Sequence, residues 1–289
     1  MDVVLQILFS GCAVGMIYAV IAFGYQLTFA TSGTINFGQG EALAVGALVG
    51  LTIVGHLNYW LMIPFVLVFG AVCGIGIERI AVLPALRRKT EGWIMSTIAL
   101  GIILRNIAEN IWGKEDMKFP SPVPETPISI GGANLLPMEI MVVIGALAIM
   151  LVIEIFNKKS IYGKAVIATA SDPAAAGLMG INTRLVVTFS YALSCATAAF
   201  AGVLVAPLTL AGAGMGASLG LKAFAVAIIG GLTSGVGAVV GGLILGISET
   251  ATGFYLSTGY KDVPGLVLLL VVLALKPAGL FGKKSIKKV

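Results

Sequence analysis

Residues 157–184 read NKKSIYGKAVIATASDPAAAGLMGINTR and lie between two long apolar runs of the chain. This stretch carries three lysines, one arginine and one aspartate, so it belongs in water rather than in lipid. Within it, the small residues from Ala170 to Gly180 predict a short helix that Gly180 ends. Asp172 is the expected N-cap, and Pro173 suits the first helical position. A helix of small residues binds lipid weakly but fits a cleft in another protein.

The apolar runs around this stretch decide the fold class. The chain has 289 residues, of which 58% are hydrophobic and 11% are charged, whereas a soluble domain has about 25% charged residues. Several runs approach or exceed the roughly 20 residues that a helix needs to cross a bilayer. The runs are continuous rather than alternating, which excludes a transmembrane barrel. We therefore predict an all-α, polytopic transmembrane helix bundle that forms a single domain over residues 1–289.

Nine apolar runs are visible, and because some are short or broken we predict eight to ten membrane segments, some of them re-entrant. The third run is expected to stop at Pro84, and the proline-rich segment 114–137 cannot be regular helix. The runs cover residues 5–29, 37–54, 59–83, 93–112, 138–156, 185–210, 219–232, 236–254 and 263–275.

The lysines and arginines indicate how the chain is oriented in the membrane. If the C-terminus is cytosolic, nine crossings put thirteen of the 18 basic residues inside and three outside, with Arg105 and Lys222 within spans. This asymmetry follows the positive-inside rule. It predicts a multi-pass protein of the cytoplasmic (inner) membrane, with the N-terminus outside and residues 157–184 in the cytosol. The lysines of the tail 283–289 would then be a cytosolic anchor.

A polar break separates the first two apolar runs, where residues 31–36 read TSGTIN. A helix broken inside a membrane leaves free N–H groups, whose partial positive charge can receive a substrate carboxylate. The alternative is that the polar side chains only satisfy the broken backbone, and the sequence leaves both open. The residues predicted to lie on a substrate pathway are Thr31, Ser32, Thr34, Asn36, Gln39, Glu41, Thr233 and Ser234.

Charged residues close to span interiors are the next candidates for a function. A carboxylate within the bilayer costs at least about 2.5 kcal/mol, so it marks a functional site, a paired group or a span end. Glu41 is expected either on the pathway or as a cap of the break, and Glu249 close to the outer interface. Arg105 and Glu109 are four residues apart on one helix face and are expected to pair.

Two kinds of repeated pattern concern the packing of the bundle. The tripeptide TSG occurs at 31–33 and again at 233–235, which, if it marks a repeat, predicts a parallel one. Glycines four residues apart let helices approach closely, so the bundle is expected to be dense and to pack on a second membrane subunit. These glycine pairs are 11/15, 46/50, 70/74, 237/241 and 242/246.

No catalytic set is visible in the sequence. His56 is the only histidine, so a hydrolytic triad or a histidine metal site has no second member. Residues 279–285 read GLFGKKS, which lacks the spacing of a phosphate-binding loop. We therefore predict that the chain is not an enzyme, that it holds no metal or cofactor of its own, and that any ATP that drives it is hydrolysed by a partner.

Several stretches together resemble one family. In residues 157–184 the order Ala-Ser-Asp, Ala-Ala-Gly and Gly-Ile-Asn looks like the cytoplasmic coupling loop of ABC importer permeases. Residues 32–41, SGTINFGQGE, are similar to an early stretch of the permeases of the high-affinity branched-chain amino acid type. Further stretches that resemble this family are Glu78-Arg79, Lys222-Ala223-Phe224, Gly230-Gly231 and Tyr260-Lys261-Asp262. The resemblance covers nearly the whole chain.

The resemblance implies partners and a role for the cytosolic loop. It implies a second permease subunit, either a sister chain or a second copy, together with two ATPase subunits that bind ATP and Mg and an extracytoplasmic substrate-binding protein. The substrate would be a branched-chain or related amino acid. By the same resemblance, the coupling helix would present Ala170, Asp172, Ala175, Ala176, Gly177 and Gly180 to the ATPase.

Other functions remain open at this stage. Permeases similar to this one also serve urea, amides and aromatic acids, and the sequence does not choose among these substrates. A transporter driven by an ion gradient, with Glu41 and Glu249 as coupling sites, is a more distant alternative. It leaves the cytosolic loop without a role.

Overall fold

Helices dominate the computed structural model, which describes residues 2–130 and 132–282. Within those ranges the strands are β1 (Ile128–Ile130) and β2 (Ala133–Leu135), an antiparallel hairpin in the proline-rich segment. The predicted lysine anchor at 283–289 lies outside the described residues. The helices are α1 (Asp2–Ser32), α2 (Gln39–Val54), α3 (Tyr59–Ile77), α4 (Leu83–Arg87), α5 (Trp93–Trp112), α6 (Pro137–Lys159), α7 (Ile161–Ser171), α8 (Pro173–Leu178), α9 (Thr183–Thr209), α10 (Met215–Gly230), α11 (Gly235–Tyr255) and α12 (Val263–Leu275).

Seven helices in the described part of the chain are long and apolar enough to cross a membrane. Helices α2 and α10 are apolar but have only 16 residues each, which gives them a length of about 24 Å, against roughly 30 Å for the hydrocarbon core. Each of the nine predicted runs is therefore helical, and the all-α polytopic bundle is confirmed. Helices α2 and α10 are shorter apolar helices, and α12 reaches a spanning length only together with the turn that precedes it, as Thr258–Leu275.

The helix that begins with α3 continues past Pro84, contrary to the prediction. Residues Glu78–Val82 form a π-helical turn, and α4 then begins with Pro84 in its first turn. A proline is tolerated there because the first N–H groups of a helix have no intrahelical partner anyway. The continuous span therefore runs from Tyr59 to Arg87.

The polar stretch 157–184 contains two helices rather than the single short one predicted. Helix α6 extends to Lys159, and α7 follows after one residue, so Ala170 belongs to α7 and not to α8. A Cβ on Gly163 would overlap the backbone of Asn157, so glycine permits this tight corner. Helix α8 begins only at Pro173, because proline holds the preceding residue in extended backbone.

The two short helices cross each other inside the bundle. Helix α1 ends ahead of an irregular stretch that begins at Gly33, with φ of +66°, and α9 ends at Thr209, just before Leu210, whose φ is +76°. The helices that follow, α2 and α10, meet at Gly40, Gly216 and Gly220. A Cβ on Gly40 would overlap the carbonyl oxygen of Gly216, and a Cβ on Gly216 would overlap that of Gly40. Only glycine allows the two backbones to approach so closely.

The helices on either side of this crossing form two similar halves that run in opposite directions. Helix α1 packs mainly along α11, and α9 packs mainly along α3, in both cases antiparallel. Helices α1, α2 and α3 therefore correspond to α9, α10 and α11, with the α2–α10 crossing at the centre. The parallel repeat predicted from TSG is not supported. Residues 31–33 lie at the end of the first helix of one half, whereas residues 233–235 lie between the second and third helices of the other half. The two tripeptides therefore do not occupy corresponding positions.

Close approach at the paired glycines is confirmed, and in this structure it occurs within one chain. Gly11 and Gly15 of α1 contact the backbone of α11, and Gly70 and Gly74 of α3 contact the backbone of α9. Gly46 likewise contacts Ala199 of α9. These glycines are therefore explained by the helix pairs of the two halves, and they need no second subunit.

Candidate functional site

The polar residues at the break after α1 are occupied by partners within the protein. Thr34 Oγ1 lies 2.7 Å from the hydroxyl of Tyr191. Asn36 Oδ1 accepts a hydrogen bond of 3.1 Å from the backbone N–H of Gly38, and the Gln39 side chain donates to the carbonyl of Ser194 over 3.0 Å. Thr34, Asn36 and Gln39 are all buried. In this conformation they satisfy the broken backbone and join it to α9.

The remaining predicted pathway residues do not form one site. Thr31 and Ser32 donate hydrogen bonds back to the carbonyls of their own helix, and both border a cavity of about 620 Å³. Ser234 accepts a hydrogen bond of 3.1 Å from the N–H of Gly237 and so caps α11. Together with Thr233 it borders a different cavity, of about 520 Å³. The predicted set is thus divided between two places.

Helix α5 carries a polar stripe that the described residues of this chain leave partly uncovered. Arg105 Nε lies 3.0 Å from Glu109 Oε1, which confirms the predicted pair, and the Arg105 side chain is 42% exposed. Asn106 and Asn110, also exposed, donate only to carbonyls of the preceding turn. We call Arg105, Asn106, Glu109 and Asn110 the α5 polar stripe. It stands among exposed isoleucines of a helix long and apolar enough to span the membrane.

Glu41 of α2 lies behind this stripe. Its Cγ is 3.4 Å from where a Cβ on Gly101 of α5 would lie, so the two helices touch at this point. The buried Oε2 atom of Glu41 has no hydrogen-bond partner among the described residues. Glu41 does not cap the break, because the N–H groups of Gly38 and Gln39 already bond to Asn36. Of the predicted pathway residues, Glu41 is the one that lies beside the uncovered polar surface.

A buried ion pair between α10 and α11 was missed by the sequence analysis. Lys222 Nζ lies 3.1 Å from Glu249 Oε2 and 2.6 Å from Asp262 Oδ1. The Tyr18 hydroxyl donates to the same Glu249 oxygen over 2.8 Å. Glu249 is only 2% exposed, and Lys222 connects it to Asp262 in the loop before α12. The sequence did offer a signal for this pair. Lys222 and Glu249 both lie within predicted apolar runs, and a charge in a membrane needs a partner.

The segment predicted to contain the coupling helix exposes five of the six residues named for it, namely Ala170, Asp172, Ala175, Gly177 and Gly180. Asp172 caps α8 as expected, since its Oδ1 accepts hydrogen bonds of 3.0 Å from the N–H groups of Ala174 and Ala175. Ala176, however, is 4% exposed and packs inward. The large side chains that project from this segment are Leu178 and Met179, which are 90% and 84% exposed. A sequence analysis centred on small residues overlooked them.

These features together define a class of protein. A polytopic bundle with two broken helices that cross at its centre, an uncovered polar stripe on a spanning helix and a polar segment that exposes apolar side chains fit a membrane transport subunit. The geometry does not identify what is transported.

The comparisons with known proteins identify the family. Residues 7–274 match the family described as branched-chain amino acid transport system / permease component. The chain is 35% identical, over 99% of its length and 97% of the relative's, to the high-affinity branched-chain amino acid transport system permease protein LivH of Escherichia coli. It is 29% identical to the permease protein BraD of Pseudomonas aeruginosa, over 99% and 98% of the two chains.

An archaeal relative extends this range. The chain is 30% identical to the probable branched-chain amino acid transport permease protein LivH of Methanocaldococcus jannaschii, over 91% of this chain and 88% of the relative. No solved structure matches the chain. The chain belongs to the family of permease components of branched-chain amino acid transport systems.

Proposed function

We propose that the chain is the permease subunit of an ABC importer that carries branched-chain amino acids across the cytoplasmic membrane. The names of the relatives support this substrate class. The chain would have its N-terminus outside and its C-terminus in the cytosol, as the distribution of lysine and arginine predicts.

The single observation that carries the proposal beyond family membership is the α5 polar stripe. Charged and amide side chains exposed on a spanning helix cannot face lipid without a cost of several kcal/mol. They are therefore expected to face a second permease subunit and a water-filled pathway between the two subunits. Glu41 would contribute to the wall of the same pathway, and the exposed isoleucines on either side of the stripe would pack on the second subunit.

The ATPase is proposed to bind the exposed end of α8. Leu178 and Met179 offer an apolar knob, and Asp172 fixes the helix that carries them. ATP and Mg would be bound by two such ATPase subunits and not by this chain. On the opposite side, the segment between α5 and α6 and the end of α11 are where a soluble substrate-binding protein would dock.

Uptake by reconstituted vesicles tests the function. The chain is co-reconstituted with its neighbouring permease, ATPase and binding proteins, with ATP on the cytosolic side and labelled leucine, isoleucine, valine, urea and aromatic acids outside. We expect uptake of the branched-chain amino acids that requires both ATP and the binding protein. Uptake that follows a proton or sodium gradient without ATP would overturn the proposal. ATP-dependent uptake of urea or aromatic acids instead would overturn the substrate.

Cysteine labelling tests the position of the pathway. In a background whose three native cysteines are replaced by alanine, Asn106→Cys is expected to react with a membrane-impermeant thiol reagent and to lose uptake on modification. Val72→Cys is the matched control, because Val72 is exposed on an apolar surface of α3. Equal, slow reaction at both positions would contradict a water-filled path along α5.

A further inference from the structure

A cavity of about 620 Å³ lies beside the segment that we propose to be cytosolic. We call it the connector cavity. One wall is the end of α1, another is the π-helical turn with α4, and a third is formed by the α7–α8 segment and the start of α9. Its volume is within the range of about 300–1,000 Å³ that is usual for small-molecule sites.

Two buried polar atoms at the wall of this cavity lack partners among the described residues. Glu78 is 1% exposed, and although its Oε2 accepts a hydrogen bond of 3.1 Å from Thr188, its Oε1 has none. Thr169 is also fully buried, and its hydroxyl has no partner. A buried carboxylate oxygen without a donor is costly. Because Glu78 borders the cavity, a cationic hydrogen-bond donor that binds there would lie next to this carboxylate.

Positive charge lies on the same cavity. Arg87 and Arg184 are among the residues that line it, and both are exposed. A guanidinium group binds a carboxylate or phosphate through paired hydrogen bonds. The rest of the lining is largely apolar and includes Phe29, Leu83 and Val187. The cavity therefore combines an anion site, a cation site and an apolar wall.

This combination selects among ligand classes. Free phosphate or a nucleotide would suit the two arginines, but it would place negative charge against Glu78. A lone cation would suit Glu78, but Arg87 and Arg184 would repel it. A small zwitterion satisfies both sets of groups at once, and an aliphatic side chain suits the apolar wall.

We propose that the connector cavity binds the zwitterion of an aliphatic α-amino acid from the cytosolic side, with its ammonium group on Glu78 and its carboxylate on Arg87 and Arg184. A bound molecule ties α4 to the segment that carries α8, since Thr169 and Pro173 border the same cavity. Accumulated amino acid therefore slows the motion of the ATPase-binding segment and restrains further uptake. That the bound amino acid is also the transported one rests on the proposed function.

Direct binding tests the site without any partner. The full chain is placed in nanodiscs of phosphatidylcholine and phosphatidylglycerol, and binding of L-leucine is measured by calorimetry. We expect saturable binding that weakens at least tenfold in Glu78→Gln and in Arg87→Ala. Arg88→Ala is the matched control, because Arg88 is the exposed neighbour that does not line the cavity. N-acetyl-leucine, which lacks the ammonium group, and isopentylamine, which lacks the carboxylate, are expected not to compete.

Several results would overturn the site. These are the absence of saturable binding, equal affinity in Arg87→Ala and the wild type, or competition by inorganic phosphate as strong as by leucine. Phosphatidylethanolamine also carries an ammonium and an anionic group. If that lipid co-purifies with the wild type but not with Arg87→Ala, and displaces leucine, then the occupant is a lipid and not an amino acid. Unfolding temperatures of the variants show whether a loss of binding is a loss of fold.

The outcome is separable from that of the proposed function. If leucine binds to the connector cavity but vesicles transport another substrate, the site stands and only its link to transport fails. If vesicles import leucine but the purified chain shows no binding that depends on Arg87, the site fails alone. If leucine both binds to the connector cavity and is transported, leucine preloaded on the cytosolic side is expected to lower the initial uptake rate. Arg87→Ala is expected to relieve that effect.

Discussion

The chain breaks ahead of a short helix in each of its two halves, and the two breaks are held by different chemistry. The break between α1 and α2 is closed by neutral hydrogen bonds from Thr34 and Gln39 to residues of α9. The break between α9 and α10 is held from outside the bundle, because Ala211 exchanges two backbone hydrogen bonds of 2.8 Å with Met117 of the proline-rich segment. Helix α10 is then fixed by the Lys222 ion pair.

The difference indicates which break responds to events outside the bundle. Neutral hydrogen bonds in a dry core form or fail locally. The second break is connected to an extramembrane segment, and its ion pair reaches Asp262 in the connection before α12. A protein that docks on those segments is therefore expected to act on α10 through Ala211 and Lys222.

The largest effect on stability is expected when the ion pair between Lys222 and Glu249 is broken. Lys222→Met leaves the Glu249 carboxylate buried without its cation, which is expected to lower the free energy of unfolding by about 3–5 kcal/mol. The double variant Lys222→Met/Glu249→Leu removes both charges and is expected to recover most of that loss. Unfolding in detergent measures both variants. Equal losses in the single and double variants would contradict a paired, buried lysine.

The next largest effect on stability is expected at the contact between α2 and α10, which the two halves share. Gly40→Ala would force a methyl group against the carbonyl of Gly216, so we expect a loss of about 1–3 kcal/mol in the free energy of unfolding. Gly253→Ala is the matched control, because nothing lies within 4 Å of its added Cβ. In that helix, alanine is expected to gain up to about 1 kcal/mol. Similar thermal shifts in the two variants would show that the crossing is not tight.

An effect of similar size is expected where neutral hydrogen bonds hold the break between α1 and α2. Ser194 donates a hydrogen bond of 2.8 Å to the carbonyl of Gly24, and its hydroxyl also lies 2.8 Å from Gln39 Oε1. Ser194→Ala leaves those buried acceptors short of a donor, which is expected to cost about 1–3 kcal/mol. Ser248→Ala, whose hydroxyl bonds only to its own helix, is the control and should change stability little. If Ser194→Ala leaves the free energy of unfolding unchanged, the hydrogen bonds of Ser194 do not hold the break between α1 and α2.

The smallest effect concerns the caps of two corresponding helices. Ser234 caps α11 through the N–H of Gly237, whereas Asn58 at the start of α3 makes no side-chain capping bond. Ser234→Ala is therefore expected to cost about 1 kcal/mol of stability, and Asn58→Ala less. Thermal unfolding of the two variants side by side measures the difference. The reverse order would contradict the assigned caps.

Much of the fold was predictable because lipid constrains a chain strongly. The nine apolar runs located the spanning and short helices, since a long, continuous apolar segment in lipid must satisfy its own backbone hydrogen bonds and does so as a helix. Local chemistry also located Asp172 as a cap and the pairing of Arg105 with Glu109, because both depend on residues within four positions of one another.

What the sequence did not reveal depends on contacts between distant segments. The Lys222–Glu249 pair joins two antiparallel helices, so no local spacing marks it. The direction of the repeat is a property of which helices pack together, and a matching tripeptide does not determine that. The polar break could line a substrate pathway or only satisfy its own backbone, and these roles differ in what its side chains face. The partners of Thr34 and Gln39 are Tyr191 and Ser194, which are far from the break in sequence.

The glycine crossing also has a mechanical meaning. From Gly40 to the end of α2, and from Gly216 to the end of α10, the chain runs 14 residues, so each helix is a lever of about 21 Å from the same fulcrum. A tilt of about 10° at that point would carry either far end by roughly 4 Å. With backbone resting on backbone, no side chain at the contact can repack to absorb the tilt. A tilt of one helix about this contact is therefore expected to displace the other helix as well.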